Sequence, residues 1–229
     1  MFGLPHYFFL VDTVIVTILT LLLVRRYLQQ KNVLSLLFTF VIITSAAFCL
    51  LMFARGFFDA NTDGSILLYR LSMVATVATP ALLSLFLFYP LILEKRQTGK
   101  AGVPYAALSL IWIFAFIGMA LILISPAVLS HEVYSLDIYS VSYGPISYLL
   151  ILAIPVLTVL VNAGVIMTMF IREKERFYKT RALLLLLGWL LILAAELLLL
   201  VPELLILNPL VFVGGVVIMA AAILRRAPS

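Results

Sequence analysis

The sequence predicts an all-α integral membrane protein, a seven-helix bundle with its N-terminus outside the cell and its C-terminus in the cytoplasm. Three observations carry this expectation. Hydrophobic residues make up 65% of the chain and charged residues 11%, at a mean hydropathy of +1.24, whereas about 25% of a soluble domain is charged. Charge-poor stretches recur at about 7–24, 34–54, 66–93, 104–129, 146–171, 182–201 and 206–224, each long enough to cross a hydrocarbon core of about 30 Å as a helix. The basic residues sort to one side of these stretches.

The first stretch has no basic n-region, and no Ala-x-Ala-like cleavage site precedes Arg25, so a retained helix is expected rather than a removed signal peptide. The second holds Cys49, the single cysteine, which permits no internal disulfide. Pro80 interrupts the third and Pro155 the fifth, and Gly144-Pro145 is the turn that launches the fifth. Pro202 and Asn208-Pro209 divide the last apolar run in two, because proline removes a donor and the residue before it avoids helix. Helices six and seven are therefore expected as a tight hairpin. The longest links, 55–65, 94–103 and 130–145, leave no room for a soluble domain. With the chain stopping soon after Arg225, any catalytic output is expected from another chain.

Short basic loops stay cytoplasmic. Arg25, Arg26 and Lys31 follow helix one; Lys95, Arg96 and Lys100 follow helix three; Arg172, Lys174, Arg176, Lys179 and Arg181 follow helix five; Arg225 and Arg226 end the chain. Of the 15 basic residues only Arg55 and Arg70 fall on the other side, with Asp59, Asp63, Glu132, Asp137 and Glu203. The net charge of +5 thus describes a collar facing anionic membrane lipid, and no nucleic-acid partner is expected. The expected location is the cell membrane, crossed several times.

Ionisable residues inside a membrane are costly and mark function by default. Asp12 is expected about 8 Å below the outer end of helix one, Arg70 about 6 Å below that of helix three, and Glu196 about 8 Å below that of helix six. With Arg55 they form a candidate ligand-binding cluster open to the outside, in which Arg70 pairs with Glu196 or Asp12. Such a pair also serves to fix helix packing, and Arg70 can instead snorkel to the interface. Above it lies YSLDIYSVSYGPISY (134–148), whose alternation over 134–139 suits a short strand or an interfacial lid. Tyr139 and Tyr143 are the candidate lid residues, with membrane-belt anchoring as their plainer role.

The sequence contains no HExxH, GxSxG or Walker pattern. His6 and His131 are its only histidines, too few for a metal hydrolase site, so neither metal nor cofactor is expected. Helix seven holds no lysine for a retinal Schiff base. Prolines that free backbone carbonyls keep small-solute transport in view. Gly214-Gly215 with Ala220, Ala221 and Ala222 makes a thin face for internal packing or a homodimer. The leucines at 183–187 and 197–200 are lipid-facing or core filling.

Helix three runs TPALLSLFLFYPL, helix five begins YGPISYLLILA, a basic segment continues KERFYKTRALLLLLGWLL, and NPLVFVGGVVIMAAAILRR closes the chain. This order resembles the seven-helix N-terminal region of prokaryotic membrane histidine kinases, found also ahead of diguanylate cyclases and other signalling outputs. The matching positions are Pro80, Tyr89, Tyr143, Gly144, Pro145, Arg181, Gly188 and Pro209, and the likeness spans nearly the whole chain. Where the family has an acidic residue before the last proline and a glutamine after the arginine, Asn208 and Ala182 stand here. The resemblance implies a non-catalytic sensor that detects an extracellular or membrane signal and relays it to a cytoplasmic kinase or response regulator. The segment from Arg172 to Arg181 is the expected contact surface. A membrane scaffold or assembly protein, or a small-solute transporter, is the alternative.

Overall fold

A computed structural model describes residues 4–58, 62–97, 102–125, 127–129, 141–143, 145–198 and 207–225. Among them are seven helices: α1 (Leu4–Gln30), α2 (Val33–Arg55), α3 (Asp63–Gln97), α4 (Gly102–Ile124), α5 (Pro145–Arg172), α6 (Arg176–Leu198) and α7 (Leu207–Leu224). Six are long and apolar enough to cross a membrane, and in α5 the stretch Val156–Arg172 is a shorter apolar helix. The chain is thus an all-helical, multi-pass membrane bundle. β1 (Ala127–Leu129) pairs antiparallel with β2 (Val141–Tyr143), Ala127 opposite Tyr143.

Several helices outrun their apolar stretches. α1 continues to Gln30, and α6 begins at Arg176 rather than at 182, so most of the expected basic loop is the first turns of a helix. The α5–α6 turn is Glu173, Lys174 and Glu175, where one carboxylate oxygen of Glu173 accepts the N–H groups of Lys174 and Glu175, both at 3.0 Å. α4 stops at Ile124, short of the expected 129, because Ser125 precedes a proline and is driven out of the helical region. The strand or lid expected over 134–139 lies outside the described residues.

α1 and α2 meet across two residues. Lys31 takes the left-handed conformation (φ 46°) and donates its N–H to the Tyr27 carbonyl, ending α1. Asn32 then caps α2, its side-chain oxygen accepting the Leu34 N–H at 2.9 Å. Asn32→Ala should cost about 1 kcal/mol, read as a lower thermal midpoint in detergent, while Asn32→Ser should restore it.

The helices close a ring: α1 packs on α2 and α7, α2 on α3, α3 on α4, α4 on α5, α5 on α6 and α6 on α7. α3 also packs on α5 and is the hub, 61% of its apolar window being buried against 22% for α1 and α4. At 1.5 Å per residue its length comes to about 50 Å, well beyond a hydrocarbon core of about 30 Å. First and last helices are joined through aromatic rings, Phe9 to Phe48 at 5.9 Å and Phe48 to Phe212 at 5.3 Å. The outer surface is apolar, including Leu110, Ile113, Phe114 and Phe116 on α4, a large exposed patch that only lipid or another protein would cover. The leucines of α6 divide by position: Leu183, Leu187, Leu190 and Leu197 are exposed, whereas Leu185 is buried.

α6 and α7 touch through glycine. A Cβ on Gly188 would lie 2.6 Å from the Gly215 carbonyl oxygen and 2.5 Å from Met219 Cγ, and one on Gly215 would lie 2.6 Å from the Gly188 carbonyl oxygen. A Cβ on Gly214 would meet nothing within 4 Å. Within the glycine pair, internal packing therefore uses Gly215, and Gly214 is open.

Candidate functional site

Pro80 stands at the midpoint of α3 and carries the polar centre of the bundle. Having no N–H, it leaves the Thr76 carbonyl without its intrahelical donor. Its own carbonyl accepts the Asn162 Nδ2–H from α5 at 2.9 Å. The Ser84 hydroxyl lies 2.8 Å from Asn162 Oδ1 and 2.9 Å from the same Pro80 carbonyl. Asn162 and Ser84 are fully buried, so each polar group needs the other. Next to Pro80 in the chain, the Thr79 hydroxyl is 3.0 Å from that of Thr44 on α2, and Trp189 Nε1 on α6 donates to the Val159 carbonyl on α5 at 3.2 Å. A polar seam thus ties α3 to α2 and α5, with α6 tied to α5 beside it. The seam borders a void of about 20 Å³ lined by Phe48, Thr76, Thr79, Pro80, Val159, Trp189, Ile192 and Phe212. That volume has room for about one water molecule.

The residues expected to form an outer cluster have separate duties. Arg70 donates from its two terminal nitrogens to the Leu123 carbonyl at 2.6 Å and the Ser125 carbonyl at 2.9 Å. These are orphan acceptors at the end of α4, where a cation also meets the negative end of the helix dipole. Its expected pairing with Asp12 is therefore not made. Arg55, 6% exposed, donates Nε–H to Ser65 Oγ at 3.1 Å and lies 4.8 Å over the Tyr69 ring, which pins the end of α2 to the start of α3. Asp12 is on the buried face of α1, 1% exposed, and its Oδ2 has no hydrogen-bond partner among the described residues. Tyr143 is the last residue of β2 and Pro145 the first of α5. Tyr139, Gly144 and the side chains of Glu196 and Tyr143 lie outside the described residues.

Arg70→Gln removes two charge-assisted bonds, each worth about 1.5–3 kcal/mol in proteins. Faster hydrogen exchange confined to the last turn of α4 is the expected result, with Arg70→Lys recovering part of the protection.

At the opposite end Arg172, Lys174, Arg176 and Lys179 are exposed, and Lys179 Nζ lies 5.0 Å over the Phe170 ring. Arg181 differs from these four. It is half-buried and donates Nε–H to the Ala222 carbonyl at 2.9 Å, capping α7 as Arg70 caps α4. Arg181 and Arg225 each lie 5.7 Å from the Phe177 ring centre. Beside Arg181 the helices enclose a cavity of about 250 Å³, walled by Phe86, Leu87, Ile166, Leu185 and Ile223 among others.

Ser84, Asn162 and Trp189 carry no site expectation from the sequence, and Asn208 only that of a helix boundary. Asn208 is buried and donates Nδ2–H to the Ala195 carbonyl on α6 at 2.7 Å. A carboxylate in its place would have no such donor to give. The readable signal for Asn162 was a carboxamide alone in an apolar span. Pro209 is buried in the first turn of α7, where a missing N–H costs nothing. Among the described residues no group of three or more His, Cys, Asp or Glu comes together to hold a metal. Comparison with protein-family models, with curated proteins and with solved structures finds no match to this chain.

Proposed function

We propose that the chain is a non-catalytic, seven-span membrane input module, N-terminus outside and C-terminus in the cytoplasm, that passes an outside or membrane signal to a cytoplasmic partner chain such as a kinase or response regulator. The observation that carries this reading is the course of α3. One end meets Arg55 through Ser65 and Tyr69 and holds α4 through Arg70. Its midpoint is fastened to α5 at Pro80, and its far end walls the 250 Å³ cavity among the basic residues. A displacement at the outer end therefore has a packed, hydrogen-bonded route to the basic face, the kind of element that two helix arrangements can bias. Transport is less well supported, because the Pro80 carbonyl is occupied by Asn162 and the void beside it has room for only about one water.

Two measurements test it. In a Cys49→Ala background, an impermeant maleimide should label Thr62→Cys in intact cells and Lys174→Cys only after permeabilisation; the reverse pattern would overturn the orientation. Crosslinking in native membrane should recover a signalling chain, several-fold less with Asn162→Leu at equal expression. Recovery of assembly proteins alone would favour a scaffold.

A further inference from the structure

The cavity at the basic end is built for more than packing. Five helices contribute to it, and its walls are apolar: Leu34 from α2, Phe86 from α3, Ile166 from α5, Leu185 from α6 and Ile223 from α7. Three polar side chains join them, Glu173, Tyr178 and Arg181. Glu173 is turned back on the α5–α6 turn, where its carboxylate accepts two backbone N–H groups. Arg181 is held by one N–H on the Ala222 carbonyl, and its terminal N–H groups make no hydrogen bond among the described residues. Arg225 shares the Phe177 ring with it, and Lys179 and Arg176 stand exposed on the same turns of α6.

The cavity opens between α5 and α6. Of its lining residues, Met169 on α5 is 36% exposed and Tyr178 on α6 43% exposed, which puts this side of the cavity within reach of the surrounding bilayer. We propose that this cavity takes an acyl chain of an anionic phospholipid from the basic-side leaflet, with the lipid phosphate held by Arg181. Apolar walls around a space of this size gain dispersion contacts from a bound chain, and the neighbouring bilayer supplies such chains. Lipid tails are as apolar as the walls, so the chain itself selects little. Selection rests on the head, where a guanidinium of fixed orientation matches phosphate by paired, charge-assisted hydrogen bonds. The site is independent of whether the bundle signals.

The test uses the whole protein in neutral detergent, with dodecyl phosphate as probe, inorganic phosphate as an anion without a chain, and dodecanol as a chain without an anion. Dodecyl phosphate should bind at least about tenfold tighter than either control, and Arg181→Gln should remove about that factor. Arg181→Lys should restore part of the affinity, and Arg176→Gln with Lys179→Gln should leave it nearly unchanged. A phosphatidylglycerol carrying a photoreactive group at its chain end should crosslink wild-type protein at Phe86, Ile166 or Leu185. That arm decides the matter even if the arginine variants fail to fold. Equal competition by inorganic phosphate, crosslinks confined to the outer faces, or occupancy of the cavity by an acidic peptide in place of lipid would each overturn the proposal.

Discussion

Gly188→Leu is expected to prevent the bundle from assembling. A Cβ at this position falls 2.6 Å from the Gly215 carbonyl oxygen and 3.1 Å from the Met219 backbone nitrogen. Backbone atoms cannot rotate out of the way, so relief requires α6 and α7 to separate. Overpacking a core costs about 1–3 kcal/mol when side chains can adjust, and here the whole helix pair must move, so the loss should lie at or above the top of that range. Close backbone approach is also what holds helices together where lipid competes for every apolar contact. The expected readout is loss of the monodisperse peak in detergent and rapid degradation in cells. Gly214→Leu is the internal control, since nothing stands within 4 Å of its added Cβ. It should leave the monomer intact, and a change in oligomeric state alone would identify a homodimer through that face.

Much of this arrangement was legible in the sequence, and the failures share a cause. Apolar length located the seven helices among the described residues, six of them long and apolar enough to cross a membrane, because in a hydrocarbon core the backbone has no other partner than itself. It misplaced the ends of α1 and α6, because a helix does not stop where its apolar stretch does: residues 25–30 and 176–181 continue the winding through charged and polar positions. Gly215 could be read as a close-packing residue, but not that it faces Gly188. The polar site was harder to read. Charge singles out Asp12, Arg55, Arg70 and Glu196, yet Arg70 and Arg55 serve helix ends, and a fully buried contact between helices belongs to uncharged Asn162. Neutral amides and hydroxyls are cheap enough in a membrane to be common, so composition alone does not single one out. Only the meeting of Asn162 with a proline carbonyl on another helix does.

That seam implies a second large effect, at Trp189. Its side chain is fully buried, donates to the Val159 carbonyl at 3.2 Å, and walls the void of about 20 Å³. Trp189→Ala removes the indole, enlarges the void and leaves the surrounding Phe48, Ile192 and Phe212 facing empty space. Truncations of this kind cost about 3–5 kcal/mol, scaling with the cavity left behind, and most of that loss should persist in a membrane because it is lost packing rather than lost shielding from water. Trp189→Phe keeps most of the volume and gives up only the N–H, so it should cost much less, about 1 kcal/mol. The enlarged cavity is lined mainly by apolar groups and should stay dry. Indole added to the alanine variant should therefore raise its thermal midpoint in proportion to the logarithm of concentration, with no effect on wild type. A Trp189→Ala protein as stable as wild type, or one that indole does not stabilise, would show that the bundle collapses around the gap and that the seam at Pro80 and Asn162 can shift to fill it.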